Sequence, residues 1–436
     1  MRAPYLDDGD VRLYLGDCVE VMAEMAPESV DAVVCDPPYG LRFMGQAWDG
    51  ADIVALAKSQ AAGTYDMKQN GAFQAWCETW AREALRVLKP GGHLLAFGGT
   101  RTFHRLTCAI EDAGFEVRDC LSWLYGCGFP KSLDVSKAID KAAGARGEYG
   151  APKSAAHAGW IDRGRMRGDD GHDGYQRPWM QDGEAVDRNA RQYLPATDDA
   201  RRWQGWGTAL KPAWEPCVVA RKPLVGTVAA NVLAHGTGAI NVEGCRIPHA
   251  SDADRDESEA KNQHTRYANP GSNRDGYSGN MPARTDYNGG AGRWPANVLL
   301  DEEAARLLDE QSGESASRIG KPRGAAAGNG WGMTKTGAEH ADTGGASRFF
   351  YTAKASTAER DGTKHPTVKP LDLMRWLVRL VTPPGGLVLD PFAGSGTTLL
   401  AARREGLRAV GIEREPDYAK DAAHRLRELS LFGGAA

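Results

Sequence analysis

From Val11 to about Ser136, short apolar runs alternate with amphipathic stretches, the pattern of parallel strands joined by crossover helices. Ala32-Val33-Val34-Cys35 reads as a buried strand. Phe73, Trp76, Cys77, Trp80, Ala84, Leu85 and Leu88 then recur at helical spacing, Lys89-Pro90-Gly91-Gly92 stops that helix, and Leu94-Leu95-Ala96-Phe97 resumes as a strand. Periodicity fails over residues 141–200, where Gly, Asp, Arg and Ala accumulate, predicting a mobile insert. Order returns near Trp203, and Cys217-Val218-Val219-Ala220 predicts a further strand. Residues 249–345 hold many Gly, Asn, Arg and Asp and too few apolar positions for a core of their own. A last ordered block runs from Phe349 to Leu431: a strand at Phe349-Phe350-Tyr351, a helix through Leu373, Leu377 and Leu380, a strand at Leu387-Val388-Leu389, a glycine-bearing turn and a closing helix. The expected fold is therefore α/β with a mostly parallel sheet.

Composition narrows this picture only a little. With 53 basic and 57 acidic residues the net charge is -4, so any nucleic-acid contact must be a local positive stripe. The eight cysteines include no C-x-x-C pair, which argues against zinc and against a disulfide framework and predicts reduced core thiols. No apolar run reaches the length of a membrane span, and the N-terminus, with Asp7, Asp8 and Asp10, lacks the apolar core of a signal peptide. A cytoplasmic protein without metal or membrane association is expected.

Candidate chemistry lies in two turns, each directly after a predicted strand, where open α/β sheets place ligands. The later one is Asp390-Pro391-Phe392-Ala393-Gly394-Ser395-Gly396-Thr397-Thr398. Glycines at 394 and 396 let a backbone approach a ligand closely, and a helix is expected to open at Thr397. The next apolar run, Ala409-Val410-Gly411-Ile412, ends in Glu413, about 20 residues on, where an acid meets ribose hydroxyls in dinucleotide folds. A phosphate-binding loop is disfavoured by the missing Lys, and a dinucleotide site by Leu399 where a third glycine belongs. S-adenosylmethionine fits better, because it carries ribose and adenine but no phosphate.

The earlier turn is Asp36-Pro37-Pro38-Tyr39. An exocyclic base amine is a poor nucleophile because its lone pair is delocalised into the ring. Asp36 and the Pro37 carbonyl can accept its two hydrogens and aim the lone pair at a methyl sulfonium. Pro37 and Pro38 hold the turn rigid, and Tyr39 offers a flat face to a base taken out of the helix.

Together these turns resemble those of the β-class DNA amino-methyltransferases, in which the catalytic motif precedes the S-adenosylmethionine motif. The resemblance covers residues 11–136, 203–246 and 347–428. It implies a Rossmann-like fold with circularly permuted motif order and an inserted target-recognition region. The units it suggests are a catalytic half at 1–140, a flexible insert at 141–202, a continuation at 203–248, a loop-rich target-recognition region at 249–346 and a cofactor-binding half at 347–436. By resemblance, Asp17 and Cys18 lie at the adenine, Phe392 beside the adenosine, and Thr367 and Lys369 of His365-Pro366-Thr367-Val368-Lys369-Pro370 at the methionine end, which Asp36 also approaches. Asp390, Gly394, Ser395, Gly396, Thr397 and Glu413 complete the expected cofactor site.

Four further segments are similar to the phage and prophage branch of this class. They are Gly128-Phe129-Pro130-Lys131-Ser132, Trp206-Gly207-Thr208-Ala209-Leu210-Lys211-Pro212, Gly292-Arg293-Trp294-Pro295-Ala296-Asn297 and Phe350-Tyr351-Thr352-Ala353-Lys354. The implied activity is direct in-line methyl transfer to a flipped base in double-stranded DNA, adenine N6 in view of the Asp heading the Pro-Pro-Tyr motif. Cytosine N4, an RNA amine and a silent binding protein are the alternatives. Methylation at cytosine C5 would need a Pro-Cys nucleophile; Pro216-Cys217 exists, but it precedes the glycine turn and opens an apolar strand. Arg284, Arg293 and Asn297 are the expected base contacts in the major groove. A cognate restriction endonuclease and a homodimer remain open as partners.

Overall fold

The computed structural model describes residues 2–40, 67–126, 132–155, 190–249, 292–316, 343–354 and 368–431, with a few isolated positions between them. Ten of its strands form one twisted sheet: β1 (Leu6–Asp7), β2 (Val11–Leu15), β3 (Val30–Cys35), β4 (Leu88–Phe97), β5 (Glu116–Leu124), β8 (Trp214–Arg221), β9 (Val298–Asp301), β12 (Tyr351–Ala353), β13 (Leu387–Asp390) and β14 (Arg408–Glu413). Their order across the sheet is β1-β2-β14-β13-β3-β4-β8-β5-β9-β12. All neighbours are parallel except β1 against β2 and β8, which runs antiparallel between β4 and β5. Two short antiparallel ladders lie outside it, β6 (Glu148–Pro152) with β7 (Arg191–Leu194) and β10 (Ser315–Ala316) with β11 (Thr343–Gly344).

Alternate residues of the strands feed opposite layers of core. Ala32, Val34, Leu95, Phe97 and Val388 pack with Leu373, Trp376, Leu377 and Leu399 on one face. Val33, Cys35, Leu94, Leu389 and Ile412 pack with Trp80, Leu106 and Ile110 on the other. Strands buried on both faces explain why the sequence shows continuous apolar runs rather than alternation. This is an α/β, Rossmann-like architecture, as the sequence predicts.

The feature that creates the site is the centre of the sheet. β3 and β13 are parallel neighbours, with Ala32 opposite Val388 and Val33 opposite Leu389. From β13 the chain passes through the helix Thr397–Arg404 to β14 on one side; from β3 it reaches β4, by way of the helix Met67–Val87, on the other. Their carboxyl ends therefore flank a topological switch point, the usual crevice for ligands in such sheets.

Several local expectations need correction. Residues Lys89–Gly92 were expected to separate helix from strand, yet β4 already starts at Leu88 and absorbs them through an irregularity between Val30 and Ala32 of its partner. The expected strand at Phe349-Phe350-Tyr351 is a 3-10 turn, Ala346–Phe349, followed by β12. Within the region expected to be loop-rich, Val298–Asp301 enters the main sheet between β5 and β12, and Asp301 caps the helix Glu302–Ser312. A short run such as Val298-Leu299-Leu300 becomes a strand through its neighbours, a cause that composition does not display. Within 141–202, β6 and β7 pair, and Asp140 accepts hydrogen bonds from the Tyr193 hydroxyl at 2.8 Å and the Thr197 amide at 3.0 Å.

Candidate active site

A cavity of about 1220 Å³ opens at the carboxyl ends of β3, β13 and β14, and the turns at Asp36 and at Gly394 both line it. Gly394 and Gly396 have positive φ, 50° and 79°, conformations glycine adopts without the β-carbon clash. The two then part ways. Gly394 lines the cavity, whereas Gly396 begins the helix Thr397–Arg404 and lies against Ala422, 3.1 Å from where its own β-carbon would sit. The structure thus places Gly396, expected at the cofactor, at the start of a helix and against Ala422, between Ser395 and Thr397 of the cavity lining.

Glu413 ties this turn down. One carboxylate oxygen accepts the Gly394 amide at 2.7 Å and the other the Glu415 amide at 2.8 Å. Burial pushes its carboxyl above the ordinary range, while those amides pull the other way. Asp17 caps the helix Cys18–Ala23 through the Val19 amide at 2.9 Å, which brings Asp17 and Cys18 to the same cavity. Phe392 is held edge-on to Trp80, ring centroids 5.3 Å apart, and tilted against Trp76 at 5.9 Å, so an aromatic face is fixed at the wall. Ser395 and Thr397 also line it.

The Asp36 turn is more tightly wired than its sequence suggests. The Tyr39 hydroxyl donates to one Asp36 oxygen at 2.7 Å, and the Lys369 ammonium donates to the other at 2.7 Å. Lys369 also meets Glu215 at 3.0 Å and lies 4.7 Å from the Phe97 ring centroid. Burial alone would lower the Lys369 pKa, but Asp36 and Glu215 outweigh it and hold the ammonium above its ordinary value. Burial, then the Asp36 charge, raise the Tyr39 hydroxyl well above its usual range, so it stays a donor. An ionised carboxylate has about four acceptor sites, so Asp36 retains capacity for a substrate N–H.

Asp390 sits behind the turn, 2% exposed, accepting the Phe392 amide at 3.0 Å. Burial raises its carboxyl to about 7, with Asp36 and Glu413 adding to the rise against hydrogen bonds from Thr398 and Phe392. The unfolded chain releases this proton near the ordinary carboxylate value, so ionisation works against the fold as pH climbs from there to about 7. Asp390→Asn should therefore gain stability relative to wild type as pH rises, by on the order of a few kcal/mol. Thermal melts at pH 5 and pH 8 check this; an identical melting difference at both would contradict it.

A family profile described as DNA methylase, covering N6 and N4 methylases, matches residues 30–142 and 256–424. The chain belongs to this DNA methylase family. Among its relatives, the Type II methyltransferase M.HindIII of Haemophilus influenzae is 22% identical over 440 residues, spanning 95% of this chain and 94% of that protein. M.ScaI of Streptomyces caespitosus is 45% identical over 82 residues, 18% of this chain and 26% of that protein. A solved structure of a DNA modification methylase from Thermus thermophilus, complexed with S-adenosyl-L-methionine, has 16% identity and a TM-score of 0.39 over 95% of this chain and 93% of that one.

The residues of this DNA methylase fit S-adenosylmethionine. The Gly394 amide, which a phosphate would need, is already taken by Glu413, and Glu413, Asp17 and Asp36 place carboxylates on the cavity wall. Carboxylates of this kind can accept ribose hydroxyls and face a sulfonium. Cys217 is 1% exposed in β8 with its thiol pushed up by burial, as expected of a core thiol. Among the described residues no helix is long and apolar enough to cross a membrane.

Other expectations fare differently. Thr367 and Arg284 lie outside the described residues. Arg293, expected on DNA, is 6% exposed, donates to the Arg348 carbonyl at 3.3 Å and lies 5.0 Å from the Phe349 ring centroid. Its backbone pairs with Ile247, and its side chain is buried against protein. Asn297 is exposed, and its amide donates to Asp119 at 3.2 Å. Glu215, Trp76, Tyr125 and Arg101 also line the cavity but were not foreseen. A glutamate before Pro216-Cys217 carries no local signal; only the arrival of Lys369 gives it a partner.

Proposed function

We propose that this DNA methylase transfers a methyl group from S-adenosylmethionine to the N6 amine of adenine at a specific sequence in double-stranded DNA. The observation that carries this is the pairing of β3 with β13, which opens the Asp36 and Gly394 turns onto one cavity. Aspartate rather than serine ahead of Pro37-Pro38-Tyr39 supports adenine. The position of Asp36 before Gly394 in the chain supports the β class, and the Trp206–Pro212 and Gly292–Asn297 segments support its phage branch. The Type II methyltransferase names of M.HindIII and M.ScaI support a place in restriction and modification, with a cognate endonuclease as partner. Target recognition is assigned to residues 249–346, and a homodimer completes the proposal.

S-adenosylmethionine supplies an electrophilic methyl on sulfur when bound. Glu413 would accept its ribose hydroxyls, Phe392 would flank the adenine, and Asp36 would meet its amino group. The target base turns out of the stack at a cost of a few kcal/mol and lies against Tyr39. Asp36 and the Pro37 carbonyl accept the two amine hydrogens, so the nitrogen lone pair points in line at the methyl. An ordinary carboxylate is too weak a base to deprotonate the amine beforehand, so the proton leaves with or after attack.

Modified-base sequencing of DNA from cells expressing the wild type, beside cells expressing Asp36→Ala, tests this. N6-methyladenine at one sequence, present only with wild type, is expected. N4-methylcytosine there would overturn the base assignment, and methyl label entering RNA but not DNA would overturn the polymer.

A further inference from the structure

The segment Trp206–Pro212 has no part in the chemistry above. Leu210 lines the catalytic cavity and is nevertheless 92% exposed, so it stands at the rim with its side chain in solvent. Single exposed leucines are ordinary. What sets Leu210 apart is that its loop is braced against residues 126–135. The Ser132 hydroxyl accepts the Thr208 and Ala209 amides at 2.9 and 3.3 Å, and the Thr208 hydroxyl accepts the Leu133 amide at 3.0 Å. Gly207 bridges to Asp134, the Trp206 carbonyl accepts the Val135 amide at 3.1 Å, and the Lys211 ammonium donates to the Gly126 carbonyl. Gly128 packs so closely that a β-carbon there would overlap the Pro212 carbonyl. An apolar tip is thus presented on a held loop, and exposed Arg101 lines the same cavity.

We propose that Leu210 is a wedge that enters the base stack at the target step and fills the space the target base leaves when it turns into the cavity. The proposal rests on the DNA-methylation reading above. A vacated position in the stack exposes the faces of its neighbouring bases to water, and an apolar side chain covers them while losing its own hydration. Bracing means that little order must be imposed on the loop when it inserts.

The test uses the full chain, wild type and Leu210→Ala, on a duplex carrying the sequence found methylated. A second duplex places an abasic site opposite the target base, which is then already loosely stacked. Single-turnover methyl transfer is read on both, and fluorescence is read on matched duplexes in which 2-aminopurine, which has no 6-amine to methylate, replaces the target adenine. Leu210→Ala should slow transfer about 10- to 100-fold on the intact duplex, with a matching loss of fluorescence rise. On the abasic-opposed duplex it should come within about threefold of wild type, and Leu210→Met should keep near wild-type rates on both. Wild-type transfer together with equal slowing of Leu210→Ala on the two duplexes, or no slowing on the intact one, would overturn the wedge alone. Absence of wild-type transfer to either duplex would overturn the reading beneath it, and the wedge with it.

Discussion

Asp36→Ala is expected to reduce methyl transfer by about 10³-fold or more while leaving the fold in place. The size follows from the role proposed for the carboxylate, to orient the amine and stabilise the positive charge that grows on nitrogen during attack, the kind of fixed electrostatic contact whose removal costs about 10²–10³ in rate by itself, with the loss of positioning added. The fold survives because the one buried cation that Asp36 holds has a second partner. Lys369 stays 3.0 Å from Glu215, so no uncompensated charge is left behind. Transfer of labelled methyl to DNA measures the first part and a thermal melt the second. Turnover near wild type would remove Asp36 from the mechanism; a collapsed melt would show that its role is structural.

Lys369→Met is expected to act in the opposite proportion, with a large loss of stability as well as of rate. Asp36 and Glu215 both lie within 3.0 Å of one ammonium that is 11% exposed. Taking that cation away leaves two carboxylates facing each other across a half-buried gap. Breaking such a cluster costs about 3–5 kcal/mol. Adding Glu215→Gln removes one of the opposed charges and should recover much of the stability. Denaturant midpoints for the two single variants and the double variant decide it: additive losses, with no recovery in the double variant, would refute the shared-cation arrangement.

Both expectations depend on a contact between residues 333 positions apart. Each half was visible separately. Asp36 was legible because a carboxylate, two prolines and an aromatic residue stand consecutively after an apolar run. Lys369 was legible only through resemblance, as a cofactor residue, and the structure joins it to the Asp36 carboxylate at the cavity. Glu215 was not legible at all, since an acidic residue at the start of a strand has the same local pattern whether solvated or buried. The burial of Arg293 was hidden for a related reason. An arginine between a glycine and a tryptophan looks like a surface contact until the antiparallel bridge to Ile247 turns it inward over Phe349.

The sequence by itself determined the elements around the site: the strands at Ala32–Cys35 and Leu387–Leu389, the turns that follow them, the helix opening at Thr397 and the acid at Glu413. These rest on short-range physics, namely which residues tolerate a buried strand, a positive φ or a rigid proline turn. Tertiary structure alone decided that β3 and β13 lie side by side, that Gly396 packs on Ala422 while Gly394 faces the cavity, that Val298–Asp301 completes the sheet and that Leu210 stands braced at the rim. The reason is that sheet order is a choice among distant partners, settled by the burial of whole faces at once, and no stretch of local sequence contains that choice.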